Sequence, residues 1–177
     1  DYTEIIFTYA SFGKVPWYDG NKYNTRVITK VVFEDVIRPK STANWFHYMG
    51  KCSNMDVSKL DMSQVTDMSY MFAHTGDDSS VKTITITGIS EWNVSKVSNM
   101  EGAFTGMGFN AATVRMDLSK WNVSNVTNMY DMFFTTAYFA TSFSLGDLSK
   151  WNVSNVTDMG GMFQQTAGSA TWSLNLS

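Results

Sequence analysis

Four segments of this chain align without a gap: Leu60-Asp-Met-Ser-Gln-Val-Thr-Asp-Met-Ser-Tyr-Met-Phe72, Trp92-Asn-Val-Ser-Lys-Val-Ser-Asn-Met-Glu-Gly-Ala-Phe104, Trp121-Asn-Val-Ser-Asn-Val-Thr-Asn-Met-Tyr-Asp-Met-Phe133 and Trp151-Asn-Val-Ser-Asn-Val-Thr-Asp-Met-Gly-Gly-Met-Phe163. A degenerate copy precedes them at Trp45-Phe46, and the Phe-to-Phe steps from Phe46 onward are 26, 32, 29 and 30 residues. A further turn begins at Leu174-Asn-Leu-Ser177, which matches Met116-Asp-Leu-Ser119. A unit this short cannot bury its own apolar face, so equivalent positions must stack on neighbouring units. Ladders of Val, Met and Phe are the expected result, with Phe46, Phe72, Phe104, Phe133 and Phe163 in one interior column.

Local periodicity changes within each unit. Lys82-Thr-Ile-Thr-Ile-Thr87 and Thr113-Val-Arg-Met-Asp-Leu118 are rich in β-branched residues and partly alternate, which predicts one short strand per unit. After the motif, Val126, Met129, Met132 and Phe133 recur at steps of three and four, with Ser124 or Thr127 available to cap, which predicts a short helical turn. One unit therefore reads as strand, turn, helix and loop. The extra residues at 73–80 and 105–112 are expected to be loops on the helix side. In residues 1–30, Ile5 to Tyr9 and Arg26 to Phe33 flank turn-prone Gly13, Pro16 and Asp19-Gly20, which predicts a β-hairpin or small sheet capping the stack.

The consensus Leu-Asp-Leu-Ser-x-Trp-Asn-Val-Ser-Asn-Val-Thr-x-Met-x-x-Met-Phe resembles the bacterial surface-protein repeat of mycoplasmas, lactic acid bacteria and gut commensals, a family related to the BspA-like leucine-rich repeats. The likeness runs from about Val31 to Ser177 and includes the lead-in Thr29-Lys-Val-Val-Phe-Glu-Asp35 and Ser41-Thr-Ala-Asn-Trp-Phe46. Two departures are visible: the units here are longer, and no Cys follows a Met-Phe pair except Cys52. The resemblance implies an α/β solenoid, a leucine-rich-repeat-like right-handed array of short parallel strands and helical turns. The expected organisation is an N-terminal β cap over 1–30 and a repeat solenoid of about five turns over 31–177, its last turn incomplete, in one continuous domain. It further implies an adhesin-type module at the cell surface, outside the cell, with a host or neighbouring-cell protein as partner, and it supplies no catalytic residues.

Composition narrows the function classes. With 13 Lys plus Arg against 16 Asp plus Glu and a net charge of -3, the chain has no cationic excess to neutralise a nucleic acid backbone. No apolar run reaches the roughly 18 residues that cross a bilayer. Twenty Ser, 19 Thr and 13 Asn, against only 16% charged residues, give the hydroxyl- and amide-rich surface common in secreted and stacked β proteins. The chain starts at Asp1 and stops inside an alternating run, so it is expected to be a piece of something longer.

Catalysis and cofactors find no support. The two imidazoles, His47 and His74, lack a nucleophile elbow, Cys52 is a lone thiol, and no unit concentrates acids in pairs as glycoside hydrolysis needs. Met residues at 62, 68, 71, 100, 129, 132, 159 and 162 keep the repeat register and read as core rather than soft-metal ligands. Carboxylates at Asp67 and Asp158, or at Asp56, Asp117 and Asp147, are too dispersed among Asn and Gly for a calcium site. Thr83, Thr85 and Thr87 could bind ice only as an array on successive turns, which the matching strands do not repeat. Sequons such as Asn93 and Asn122 arise from the repeat itself. For partner binding, alternation points Arg115 and Asp117 outward from the strand, and the same register gives Ser173 and Asn175. The alternative is a carbohydrate-binding module, stacking sugars on Trp17 and Tyr18 or on Trp92, Trp121 and Trp151, although a partly buried ladder is the stronger reading of that Trp column. A stalk without any ligand is the third possibility.

Overall fold

The computed structural model describes residues 4–7 and 25–174. Among them lie six short strands: β1 Glu4–Phe7, β2 Lys30–Phe33, β3 Asn54–Asp56, β4 Thr83–Thr87, β5 Thr113–Arg115 and β6 Ser142–Ser144. All pair in parallel and in chain order within one sheet. Parallel neighbours require a full return of the chain between strands. The returns divide the protein into coils one to five, at 30–53, 54–82, 83–112, 113–141 and 142–170, in a solenoid-like arrangement. A second ladder of single bridges, Ser41 to Asp67 to Asn99 to Asn128 to Asp158, runs down another corner of the coils.

Inside the coils the repeat becomes a core. Ile84 and Ile86 of β4 point inward while Thr83, Thr85 and Thr87 point out, the alternation expected of a strand with one buried face. Ring centroids of Phe46, Phe72, Phe104, Phe133 and Phe163 follow one another at 5.1, 5.2, 5.2 and 5.3 Å. That interval lies close to the roughly 4.8 Å between paired strands, so the Phe column stacks as expected. Met68, Met100 and Met129 are fully buried, as are Val65, Val97 and Val126.

The helical turns do not form; among the described residues there is no α-helix, only short 3-10 turns at Thr25–Val27 and Ile89–Glu91. In their place is a chain of β-turns. On coil four, Met132 N–H donates to Met129 C=O, Phe134 to Asp131 and Thr136 to Phe133, each three residues back. The alternate donors leave the coil: the N–H groups of Met129, Asp131, Phe133 and Thr135 reach carbonyls of Asp158, Gly160, Met162 and Gln164 on coil five at 2.8 to 3.0 Å. A helix would turn every N–H inward to the residue four back, leaving nothing to bond the next coil. Turns and coil-to-coil bonds together satisfy the backbone, and the apolar spacing of three and four fits both structures. Residues 73–80 and 105–112 continue this ladder rather than forming irregular loops, with Thr75, Met107 and Ala111 fully buried.

Such turns need left-handed backbone at fixed places. Two residues before each column Phe stand Asn44, Tyr70, Gly102, Asp131 and Gly161, and two after it Tyr48, His74, Gly106, Thr135 and Gln165, all with φ between 53° and 65°. Glycine adopts this conformation freely, whereas an L side chain costs about 1–2 kcal/mol there, most of all a β-branched one. Replacing Thr135 by Gly should therefore stabilise the protein by about 0.5–1 kcal/mol, after the added chain entropy of the unfolded state is subtracted. A urea midpoint that stays put or falls would contradict the strain at Thr135.

At the N-terminus, β1 runs parallel to β2, with Glu4 opposite Lys30 and Phe7 opposite Phe33. That is the geometry of another coil and not of a hairpin, whose strands are antiparallel. The turn-prone residues at 8–24 lie outside the described residues. On coil five, Gly146 is an extra residue before Asp147; it has φ of 79° and shifts the register against coil four by one beyond the paired strands, and a Cβ there would come within 2.4 Å of Asp117 Oδ1.

Candidate functional site

The outer face of the sheet carries side chains that packing does not use. Lys30, Asn54 and Thr85 form one row across β2, β3 and β4, and Thr83, Thr113 and Ser142 form another across β4, β5 and β6. Arg115 is exposed on this face and donates from Nε and Nη2 to Ser142 Oγ at 3.0 and 2.8 Å. Asp117, two residues on and also exposed, accepts the Ser119 N–H at 3.0 Å. The Ser119 hydroxyl and N–H hold the Asp117 carboxyl below the usual carboxylate range, helped by Lys120. Ser173 is exposed but belongs to no strand; it borders a groove of about 440 Å³ between Phe143 to Leu148 and Trp172 to Leu174. Asn175 lies outside the described residues. The structure thus exposes both Arg115 and Asp117, each held by a different partner, and leaves Ser173 on the rim of the groove beside β6.

The aromatic platform does not exist on the surface. Trp92, Trp121 and Trp151 are 5, 2 and 1% exposed. Their indoles stack on one another at 6.1 and 6.5 Å. Each Nε1 donates to a carbonyl of the preceding coil: Trp92 to Val57 at 3.2 Å, Trp121 to Ile89 at 2.9 Å and Trp151 to Leu118 at 3.1 Å. Ring faces and polar edge are both occupied inside the protein, so no sugar can reach them. Trp17 and Tyr18 lie outside the described residues.

Most of the Asn and Asp repeat positions fold the corners. Asn93, Asn122, Asn152 and Asp61 each accept the N–H two residues on, at 3.0 to 3.1 Å. Asp67, Asn99, Asn128 and Asp158 do the same one corner later, as do Asp56 and Asp147 beside the sheet. Asn and Asp are interchangeable in this role because only the Oδ1 acceptor is needed. Among the described residues no three acidic, His or Cys side chains converge on a point where a cation could sit. Sequence reasoning missed a further polar column: Thr75, Thr136 and Thr166 are buried and donate to Phe46, Phe104 and Phe133 carbonyls at 2.6 to 2.7 Å. Their constant place three residues after a column Phe was the available signal.

His47 and His74 meet in a stack with Tyr48 and Tyr70, the two imidazoles 6.2 Å apart. His47 Nδ1 lies 3.1 Å from Asn44 Oδ1, and His74 Nδ1 lies 3.3 Å from Asp77 Oδ2. Burial, and then the neighbouring His74, lower the His47 pKa from 6.5 to about 4. Cys52 is buried, which pushes its thiol up to about 12 and keeps it protonated. For His47, neither folded nor unfolded chain is protonated above pH 6.5, whereas between 6.5 and about 4 the unfolded chain binds the extra proton. Stability should accordingly decline across that window as pH falls, and His47→Gln should flatten the decline. Melting curves of the two proteins with equal slopes from pH 7 to 4.5 would contradict the depressed pKa.

Residues 40–172, about three quarters of the chain, match a protein family described as Mycoplasma protein of unknown function, DUF285. The chain belongs to the DUF285 family. No curated protein and no solved structure matches it. The DUF285 match opens just ahead of Ser41, the first residue of the corner bridge ladder, and closes at Trp172, beyond the Phe163 turns. The family pattern is therefore carried by coils, not by a single constellation of side chains.

Proposed function

We propose that this DUF285 chain is an extracellular interaction module at a bacterial cell surface, of adhesin type, which binds a host or neighbouring-cell protein through the outer face of its sheet. In this reading the coils form a right-handed solenoid akin to the BspA-like leucine-rich repeats, and β1 caps the N-terminal edge of the sheet. The observation that carries the proposal is the row of exposed, mostly uncharged side chains on β4 and β5, which contribute nothing to the core yet are held on a rigid frame. Arg115 and Asp117 add the directional polar contacts that give a protein interface its specificity. The proposal is of a binding role and names no catalytic step.

The test is a binding screen of the purified chain against host matrix proteins, followed by the double variant Arg115→Ala with Asp117→Asn. Asn at 117 keeps the acceptor that Ser119 requires, as Asn does at 93, 122 and 152, so the melting temperature should stay within about 2 °C of the parent. Binding should weaken at least tenfold. Binding that survives, yet fails when residues 73–80 or 105–112 are changed, moves the contact to the β-turn side. A chain that binds no protein and no glycan is a stalk.

A further inference from the structure

Phe109, Tyr138 and Phe139 form an aromatic cluster at the corner where the β-turn ladder gives way to the strand. Phe109 and Tyr138 hold equivalent positions on coils three and four, five residues after the column Phe, and their rings stack at 5.2 Å and 7° from parallel. Phe139 meets both rings edge-on, at 5.4 and 4.8 Å, and is 52% exposed. Backbone bonds fix the cluster: Phe139 N–H donates to the Phe109 carbonyl at 3.1 Å, and Ser169 N–H donates to the Tyr138 carbonyl at 3.2 Å. The next position of the column, on coil five, is Gly168. A Cβ there would stand 3.2 and 3.4 Å from Tyr138 Cε2 and Cδ2. The Phe and Trp ladders of the core both continue onto coil five; this surface ladder stops after two rings, leaving the far side of Tyr138 over bare backbone.

The chemistry of the missing rung is restricted. On coils three to five, the two columns hold Phe109, Tyr138 and Gly168, and Asn110, Phe139 and Ser169, none of them charged. A charged ligand finds no counter-charge in these columns. Asn110, on the coil-three side of Phe139, is committed through Nδ2 to the Asp77 carbonyl at 2.7 Å, whereas on coil five the exposed Ser169 follows Gly168 and places a neutral hydroxyl at the open rung. A ligand that satisfies the site has a flat apolar face and a rim of neutral hydroxyls. A pyranose with equatorial hydroxyls has both, because its axial C–H bonds form the face and its hydroxyls the rim.

We propose that this corner is a subsite for a neutral β-linked glycan of the glucose type, one pyranose ring taking the third rung on Tyr138 above Gly168, against Phe139. The subsite shares no side chain with Arg115 and Asp117 and does not depend on a protein partner at the sheet face.

Calorimetric titration and saturation-transfer NMR of the whole chain with cellotetraose, β-1,4-galactotetraose and mannotetraose test it. Cellotetraose should bind with a dissociation constant of about 1 mM, and β-1,4-galactotetraose and mannotetraose, whose axial 4-oxygen and 2-hydroxyl each interrupt a C–H face, should bind more weakly. Phe139→Ala and Tyr138→Ala should each weaken binding about tenfold, the former at unchanged melting temperature because Phe139 is half exposed. Gly168→Phe should fill the rung, abolish binding and leave the protein at least as stable. Arg115→Ala with Asp117→Asn should leave sugar binding unchanged, which separates this proposal from the sheet-face reading. The proposal is overturned by no binding of any of these sugars at about 10 mM, by binding that persists in Gly168→Phe, or by N-acetyltyrosinamide binding tighter than every sugar, which would assign the slot to an aromatic peptide side chain.

Discussion

Met129→Asp should lower stability by about 3–5 kcal/mol, enough to unfold a substantial part of the population. Met129 is fully buried in coil four, between Met100 of coil three and Met159 of coil five in the repeat register. A carboxylate there loses its hydration and gains no cation, because the surrounding columns are Val, Met and Phe. Each coil contacts only its neighbours, so a failed fourth coil leaves coil five without its base and coil three with an uncovered face. The loss should therefore spread to both sides rather than remain local. The control lies one coil on: Met159 is 36% exposed, and Met159→Asp should cost less than about 1 kcal/mol. Circular dichroism melts give the size of the effect, and amide exchange on coils two to five gives its extent. A parental melting temperature for Met129→Asp, or protection lost from coil four alone, would sink the assignment of this column as a shared interior.

The stacking itself was legible in the sequence because it is written as identity of position. Phe72, Phe104, Phe133 and Phe163 hold the same place in one recurring motif at steps of 32, 29 and 30 residues, which means equal surroundings, and equal surroundings exist only in a stack. Strands were legible too, since Thr83 to Thr87 alternate cleanly. The helical turns were misread for a physical reason: Met129, Met132 and Phe133 satisfy a helical period, but the N–H groups of Met129 and Phe133 find their partners on another coil some 30 residues away. Local periodicity carries no information about that. A better signal was present in the glycines: Gly102 and Gly161 stand two residues before a column Phe and Gly106 two after, marking recurrent left-handed positions that no helix interior tolerates. The parallel placement of β1 was illegible because pairing direction depends on the intervening path. On the outer face, alternation alone oriented Arg115 and Asp117 correctly, whereas the ring cluster of Phe109, Tyr138 and Phe139 falls where the units differ in length and repeat comparison loses its register.

Trp121→Ala should cost about 3–5 kcal/mol, and the loss should be one of folding and not of binding. Trp121 is 2% exposed, lies between Trp92 and Trp151 in the stack, and contacts the Phe104 ring at 6.2 Å. Truncation removes the filled volume, both ring neighbours and the donor to the Ile89 carbonyl. Trp121→Phe keeps a ring and loses the donor, so it should cost about 1–2 kcal/mol. Trp121→Leu should fall between the two, because Leu60 occupies the same column at coil two with 2% exposure and needs no donor there. The graded order Ala, Leu, Phe, Trp in melting temperature is the mark of a structural ladder. A surface platform makes the opposite set of predictions: little change in melting temperature for any of the three, tryptophan fluorescence quenched by acrylamide in the parent, and sugar binding lost with the indole. Finding that second set would return Trp92, Trp121 and Trp151 to the surface and would also remove the coil-to-coil carbonyl bonds on which this corner of the fold depends.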